Sequence, residues 1–464
     1  MIDGHQKKKG ETSFWRILLL IAVFYFVPGI QVVTQRLDLD NAASCRINHK
    51  CTTPSGKVPA LNNILSNILY VIFGCSFIYF VKYRHSMAKC NESFSSKDNN
   101  KDVEIVESKV STLPPPPPSS KKREKCGVRH ENGVYYAMGL SLCLEGFFSG
   151  IYHICPTPST VQFDFTFIII SVLLLSFALY KKRHSHLAGF ESPVQFLALI
   201  ATMVAMNGAL QVMSGGDGSS GSCALRGVFT WLYVVIVILV GICLRRRWML
   251  SFVLYDPRQK FQILVNDFYS WICMSSSRDS ETLTIQSESE VTDQEAQLEK
   301  KRRRTMKESI LDQLKGRVLI LVLLLNIIIA VSMNVMCETE AAGSFEGFSI
   351  VCAGVNSSTY FIIYFLQKYL HNERLTRTAW ICFASSLLLG SIAIYFFIAL
   401  KDYEVFGTAE DSEKRAHKCI LFDFFGPHDM WHLLSAPAVF FMYTFVLCID
   451  DDLEKIPTRS IPVF

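Results

Sequence analysis

Charge is what this 464-residue chain has least of: Asp, Glu, Lys and Arg make up 19% of it, while 50% is hydrophobic. A soluble globule carries about 25% charged residues, so an ordinary water-soluble domain is excluded. No stretch alternates apolar and polar residues as the strands of a membrane barrel do. No G-x-x-x-x-G-K-[ST] string occurs, and the apolar runs leave no room for a doubly wound sheet, which excludes a soluble nucleotide enzyme. Internal repeats are absent as well.

What is present instead is a series of apolar runs. They cover Phe14 to Val33, Leu61 to Val81, Val134 to Ile154, Phe163 to Tyr180, Val194 to Met213, Val228 to Leu244, Val318 to Met336, Phe348 to Leu366, Ala379 to Leu400 and Trp431 to Leu447. A bilayer core about 30 Å thick needs roughly 17–25 helical residues, so the expectation is an all-α, polytopic membrane protein of about ten spans. The first run follows Lys7 to Lys9 and has no small-residue cleavage site after it. It is therefore expected to be an uncleaved span, since it also exceeds the apolar core of a signal peptide.

Basic clusters orient these spans. Lys7 to Lys9, Lys82 with Arg84, Lys121 to Arg123, Lys181 to Arg183, Arg245 to Arg247, Lys300 to Arg304, and Arg374 with Arg377 flank them. With ten spans every cluster falls on one side, which the positive-inside rule makes cytosolic, along with both termini. These flanks account for the net charge of +5 without a nucleic-acid partner. The expected organisation is a cytosolic N-terminus (1–13), two spans with an outer loop (14–84), a cytosolic Pro-rich linker (85–133), spans three to six (134–247), a cytosolic loop (248–317), spans seven to ten (318–449) and a cytosolic tail (450–464). Pro114 to Pro118 favour extended polyproline structure in the linker. Arg278 to Arg304 is Ser/Glu/Gln-rich and then basic, a composition of exposed or disordered chain. The intervening "FQILVNDFYSWICM" is suited to the inner membrane surface.

Of fifteen cysteines, Cys45 and Cys51 share the first outer loop and could close a small disulfide in an oxidising compartment, or stand as two thiols. Cys155, Cys223, Cys337 and Cys419 lie on or near the same side, and the sequence does not pair them. Cys75, Cys143 and Cys243 fall inside spans and read as packing residues.

Ionisable residues within a membrane are candidates for function. In "LEGFFSGIYHICP", Glu145, Ser149 and His153 recur every four residues and form one stripe along a helix, with His153 at its outer end. Asp164 enters the fourth span from the same side, and "FGPHDMWHLL" sets His428 and His432 on one face of the last span. Each has an ordinary alternative: Asp164 as an N-cap, His153 as an interfacial imidazole bonded to a carbonyl, His-x-x-x-His as a chance spacing. Together, at equal depth, three imidazoles plus a water match an open tetrahedral zinc site. Such a zinc would supply hydroxide near neutral pH. Asp164 is then the candidate general base and Ser149 the donor to a developing oxyanion. Glu145, Asp423 and Asp429 are candidates for orienting an imidazole. Zinc that only pins the last span to the third and fourth is the structural alternative.

The spacing of Ser149, His153, Asp164 and a terminal His428-x-x-x-His432 resembles the CREST superfamily of membrane hydrolases, which includes alkaline ceramidases and adiponectin receptors. The resemblance implies a CREST-like helical bundle with an outer-face zinc held by His153, His428 and His432, Asp164 contacting the zinc-bound water and Ser149 beside it. The strings "VFYFVPGIQVV", "LNNILSNILYVIFG", "YAMGLSLCLEGFFSGIYHICP", "VQFDFTF", "CILFDFFGPHDMWHLLSA" and "CIDDDLEKIPTRSIPVF" look like the systemic-RNA-interference-defective (SID) transmembrane family. That likeness implies a role in double-stranded RNA uptake, with cholesterol or sphingolipid as further ligands, a homo-oligomeric state, and residence in the plasma membrane or in lysosomes and endosomes. Typical members carry a large β-rich extracellular region and one more helix ahead of the segment matched here, so the chain is expected to be a member lacking both. Its outer-loop bases are scattered or lie among acids, whereas RNA capture needs several phosphate contacts. Zinc-dependent cleavage of a lipid amide or ester is the competing expectation. Sterol handling is a third, for which Leu175, Tyr180 and Lys182, and Leu366, Tyr369 and Arg374, fit a loose cholesterol pattern.

Overall fold

The structure, a computed structural model, describes residues 13–38, 60–107, 132–157, 160–183, 227–235, 324–332, 345–399 and 416–461, with parts of 45–58 and 126–128. Eight helices organise the part that bears the site: α1 (Ser13–Asp38), α2 (Leu61–Ser66), α3 (Ile68–Glu107), α4 (Asn132–Tyr152), α5 (Val161–Arg183), α6 (Phe345–Leu370), α7 (Arg377–Ala399) and α8 (Pro427–Cys448). Among the described residues there is no β-strand, only isolated bridges such as Ser55 with Val58 and Leu421 with Phe425.

Among the described residues, six stretches are long and apolar enough to cross a membrane: Leu61–Met87, Asn132–Tyr152, Val161–Arg183, Ser349–Leu370, Arg377–Phe397 and Pro427–Leu453. A shorter apolar stretch, Leu18–Gln31, lies in α1. The expected span Val194 to Met213 lies outside the described residues, and those at Val228 to Leu244 and Val318 to Met336 are described only as helix at 227–235 and 324–332. Pro114 to Pro118 and the loop 248–317 also lie outside them.

Two sequence expectations change. The second span is not one uninterrupted helix, because α2 stops at Ser66, and a turn at Asn67 precedes α3. At its far end α3 runs on to Glu107, so the first part of the segment read as linker is helical. Polar side chains do not prevent a helix from continuing once apolar packing has nucleated it.

Helices α3, α4, α5 and α8 pack around the site. Glycine lets the first two approach closely: a Cβ at Gly146 would lie 2.7 Å from Asn67 O and 2.9 Å from Tyr70 Cβ. Small residues at such crossings are how membrane helices gain contact without a hydrophobic driving force. A stacked aromatic layer backs this face, with Phe148 4.8 Å from Phe167 and Tyr25 of α1 edge-on to both. The interior polar groups Ser141, Glu145, Ser149 and Asp164 are all buried against these helices.

A candidate metal centre between three helix ends

The start of α8 is fixed first. Gly426 is its N-cap and Pro427 occupies the first turn, where a missing N–H costs nothing. Asp429 Oδ2 accepts from Gly426 N at 2.7 Å, which holds the chain at the helix entry and places a negative group where the helix dipole favours it. One face of the first two turns then carries His428 and His432. On the neighbouring α4, the turn that follows Tyr152 carries His153, whose N–H bonds back to Ser149 O at 3.0 Å.

These three imidazoles converge, which the spacing within each helix leaves open and the family resemblance implies. His428 Nε2 and His153 Nε2 are 3.1 Å apart. The ring centroids lie 4.8 Å apart for His153 and His428, 4.9 Å for His153 and His432, and 4.5 Å for His428 and His432. One nitrogen from each ring lies within 4.8 Å of the others, and all three residues are buried. Nitrogens bound to one zinc at 2.0–2.1 Å stand roughly 3.3 Å apart in a tetrahedron, so the group needs only a small closure to ligate it. Burial, and then the neighbouring His428, hold the His153 imidazole well below its ordinary pKa. It is therefore neutral, the form a metal requires.

Ser149 and Glu145 lie one and two helical turns below His153, and both are buried. Among the described residues, Ser149 Oγ and Glu145 Oε2 have no hydrogen-bond partner. Asp164, in the first turn of α5, is also buried and is an electrostatic neighbour of Glu145. Glu145 and Asp164 both act on Tyr70, whose ring meets that of His432 edge-on at 6.0 Å. The donor set is three imidazole nitrogens, with Ser149 Oγ and Glu145 Oε2 on the helix turns below His153. That chemistry suits zinc, which takes imidazole in sites that keep a position for water or substrate.

The expected imidazole-orienting carboxylates behave differently. Asp429 spends its Oδ2 on Gly426 N and on Asn62 Nδ2 at 2.8 Å, so its bonds tie α2 to the start of α8. Asp423 is exposed, with a φ of 49° in the turn between Leu421 and Phe425, and its place is set by that turn. Sequence reasoning overlooked Ser66, whose Oγ lies 3.1 Å from His432 Nδ1. A serine carries no charge to mark it, and only its position four residues after Asn62 and four before Tyr70 gives a helical signal.

The disulfide expectation is corrected. Cys45 pairs with Cys155 and Cys51 with Cys419, not Cys45 with Cys51. Short spacing favours a small ring, but the fold brings partners 110 and 368 residues away into bonding range. Cys155 lies two residues after His153 and Cys419 nine before His428, so both bridges staple the first loop to the segments that bear the ligands. Asn48 reinforces the second staple by bonding to His417 O at 2.9 Å and accepting from His417 N at 3.1 Å.

Residues 2–464 match the profile of the family described as dsRNA-gated channel SID-1. SID1 transmembrane family member 1 of Homo sapiens is 27% identical over 472 residues, which is 98% of this chain and 47% of the human protein. The protein of the same name in Rattus norvegicus is 28% identical over 464 residues, with the same shares covered. Cholesterol uptake protein 1 of Caenorhabditis elegans is 25% identical over 477 residues, 99% of this chain and 52% of that protein. The chain spans about half the length of the curated relatives it matches.

Proposed function

The chain belongs to the SID-1 family, and from that premise we propose that it is a multi-pass membrane protein of about ten spans whose three histidines hold zinc for the hydrolysis of a lipid amide or ester. The carrying observation is the convergence of His153, His428 and His432 from two helix ends, with Ser149 Oγ on the helix turn below His153. Zinc, when bound, would lower the pKa of a coordinated water to about 7. The protein supplies the rest. Asp164, a buried carboxylate in the first turn of α5, would be the general base toward that water. Ser149 Oγ–H would donate to the oxygen on which charge develops, and among the described residues no hydrogen-bond partner competes for it. The apolar helices around the polar pocket supply a lipid-facing surface that suits an acyl chain.

A second reading, double-stranded RNA transport, is favoured by the family description itself. The name of the Caenorhabditis elegans relative speaks for sterol uptake in the same way. Both belong to proteins about twice as long as this chain.

Metal analysis of the purified protein with and without His432→Ala, paired with turnover of ceramide and phospholipid, tests the first reading. One zinc per chain, lost with His432→Ala together with turnover, is the expected outcome. Zinc-free wild-type protein overturns it, and stoichiometric zinc without turnover leaves a structural metal. Retardation of double-stranded RNA by the purified chain at physiological salt would favour the second reading.

A further inference from the structure

We infer that Ser66 is a positioning residue that sets the ring tautomer of His432 and so decides which of its nitrogens faces the other two histidines. The inference rests on the reading of the three histidines as a metal centre. It gives a role to "LNNILSNILY", a stretch the proposed chemistry leaves unused.

The argument starts from the short helix α2. It ends at Ser66, and the last carbonyls of any helix lack an internal partner. Asn63 O is one of these, and it accepts from Ser66 Oγ at 2.8 Å and from Asn67 Nδ2 at 2.8 Å. A serine hydroxyl has one proton. That proton goes to Asn63 O or to the Asp429 carboxylate, which Ser66 also meets, so toward His432 Nδ1, 3.1 Å away, Ser66 Oγ is an acceptor only. His432 Nδ1 is therefore the protonated nitrogen and Nε2 carries the lone pair. A metal-bound imidazole is commonly fixed in this way, by a hydrogen bond from its other nitrogen.

Helical spacing makes the contact part of a row. Asn62, Ser66 and Tyr70, four residues apart, meet Asp429, His432 and Ser435, three apart on α8. The distances are 2.8 Å from Asn62 Nδ2 to Asp429 Oδ2, 3.1 Å from Ser66 Oγ to His432 Nδ1 and 2.5 Å between Tyr70 Oη and Ser435 Oγ. Ser435 Oγ donates to Trp431 O at 2.6 Å, so Tyr70 is the donor in the last pair. The two outer pairs hold the helices in register, and the middle one points the imidazole. Ser66 and His432 are 0% and 1% exposed, so water does not substitute freely for the serine.

The test measures zinc affinity by chelator competition, with the cobalt(II) visible spectrum as a readout of ligand geometry. Ser66→Ala is expected to weaken zinc binding about 10–100-fold and to shift the cobalt bands. Ser66→Thr, which restores the hydroxyl, is expected to recover both. Ser386→Ala removes another bond to α8, from Ser386 Oγ to Ala438 O at 2.8 Å, and is expected to change neither. Unchanged affinity and spectrum in a folded Ser66→Ala protein would overturn the inference while leaving the metal centre standing. A folded Ser66→Thr that recovers neither would also overturn it; if that variant does not fold, the spectrum of Ser66→Ala decides. Wild-type protein that takes up neither zinc nor cobalt would bring down the metal reading, and this inference with it.

Discussion

The two ends of α8 are built from polar residues to opposite plans. At its start, imidazoles and hydroxyls gather, and among the described residues Ser149 Oγ, Glu145 Oε2 and Asp429 Oδ1 find no hydrogen-bond partner. At its end, Asp450 is enclosed by Lys182, Arg183 and Lys368, with Arg183 Nη2 at 2.7 Å and Lys368 Nζ at 3.1 Å from Oδ1. Tyr364 Oη donates to Asp450 Oδ2, and Arg183 and Lys368 also pair with Glu373. Arg84 pairs with Asp451 at 2.8 Å, Lys368 with Asp452 at 3.0 Å, and Arg374 N donates to Asp452 Oδ2 at 3.0 Å. A saturated ionic network holds helix ends in one arrangement and has nothing left to offer a ligand. An unsaturated cluster costs stability and is kept where it binds or reacts. The contrast is what supports the proposal of a functional histidine end and a structural aspartate end.

The largest effect expected from breaking this contrast is at Asp450. Asp450→Asn leaves three buried cations short of one carboxylate, and losing one partner of a buried pair costs about 3–5 kcal/mol. Thermal or denaturant unfolding in detergent reads this directly. Zinc stoichiometry of the folded fraction is expected to stay at the wild-type value, because the variant touches no group near the histidines. Equal loss of zinc and stability would mean the two ends are one cooperative unit.

Metal removal probes the other end. Zinc at 100 times its Kd is expected to stabilise the folded chain by about 2.7 kcal/mol, in wild type and Asp450→Asn alike, and His432→Ala to abolish the increment. The effect has a pH sign. His153 has its pKa lowered by burial and by His428, so below its ordinary value of about 6.5 the unfolded chain binds more protons than the folded one. Stability of the metal-free protein falls as pH drops through that range. Protons also compete for the ligand nitrogens there, so the zinc increment shrinks in the same direction. A zinc increment that grows on acidification would rule out imidazole ligation.

The histidine end was the more legible in sequence, for a physical reason. Glu145, Ser149 and His153, and His428 with His432, repeat every four residues, and a helix turns that local spacing into a shared face. Equal depth put the two faces at one level of the membrane, but it did not bring the third and last spans together; that came only with the family resemblance and the fold. The aspartate end was less legible: Lys181 to Arg183 read as a topological flank, and that reading does not show that Lys182 and Arg183 are buried against Asp450. Nothing local marks that pairing, since its members come from α5, α6 and the turn after α8. The cysteines teach the same point, because chain proximity suggested Cys45 with Cys51 while the fold supplied more distant partners. Ser66 was invisible because its role depends on bonds that only the fold makes, to Asn63 O and to His432 Nδ1.

The smallest expected effect sharpens the comparison most. Glu145→Gln makes at the histidine end the same chemical change, carboxyl to amide, that Asp450→Asn makes at the other. Glu145 is equally buried, at 3% against 2% exposure, so solvation alone predicts similar outcomes. The surroundings predict otherwise. Among the described residues no cation pairs with Glu145, its Oε2 has no partner, and its electrostatic neighbour Asp164 is another acid. An amide there strands no opposite charge, so the stability change is expected to stay within about 1 kcal/mol. A loss near that of Asp450→Asn in the same unfolding measurement would show that Glu145 anchors a cation, and the histidine end would have to be redrawn as a second ionic lock.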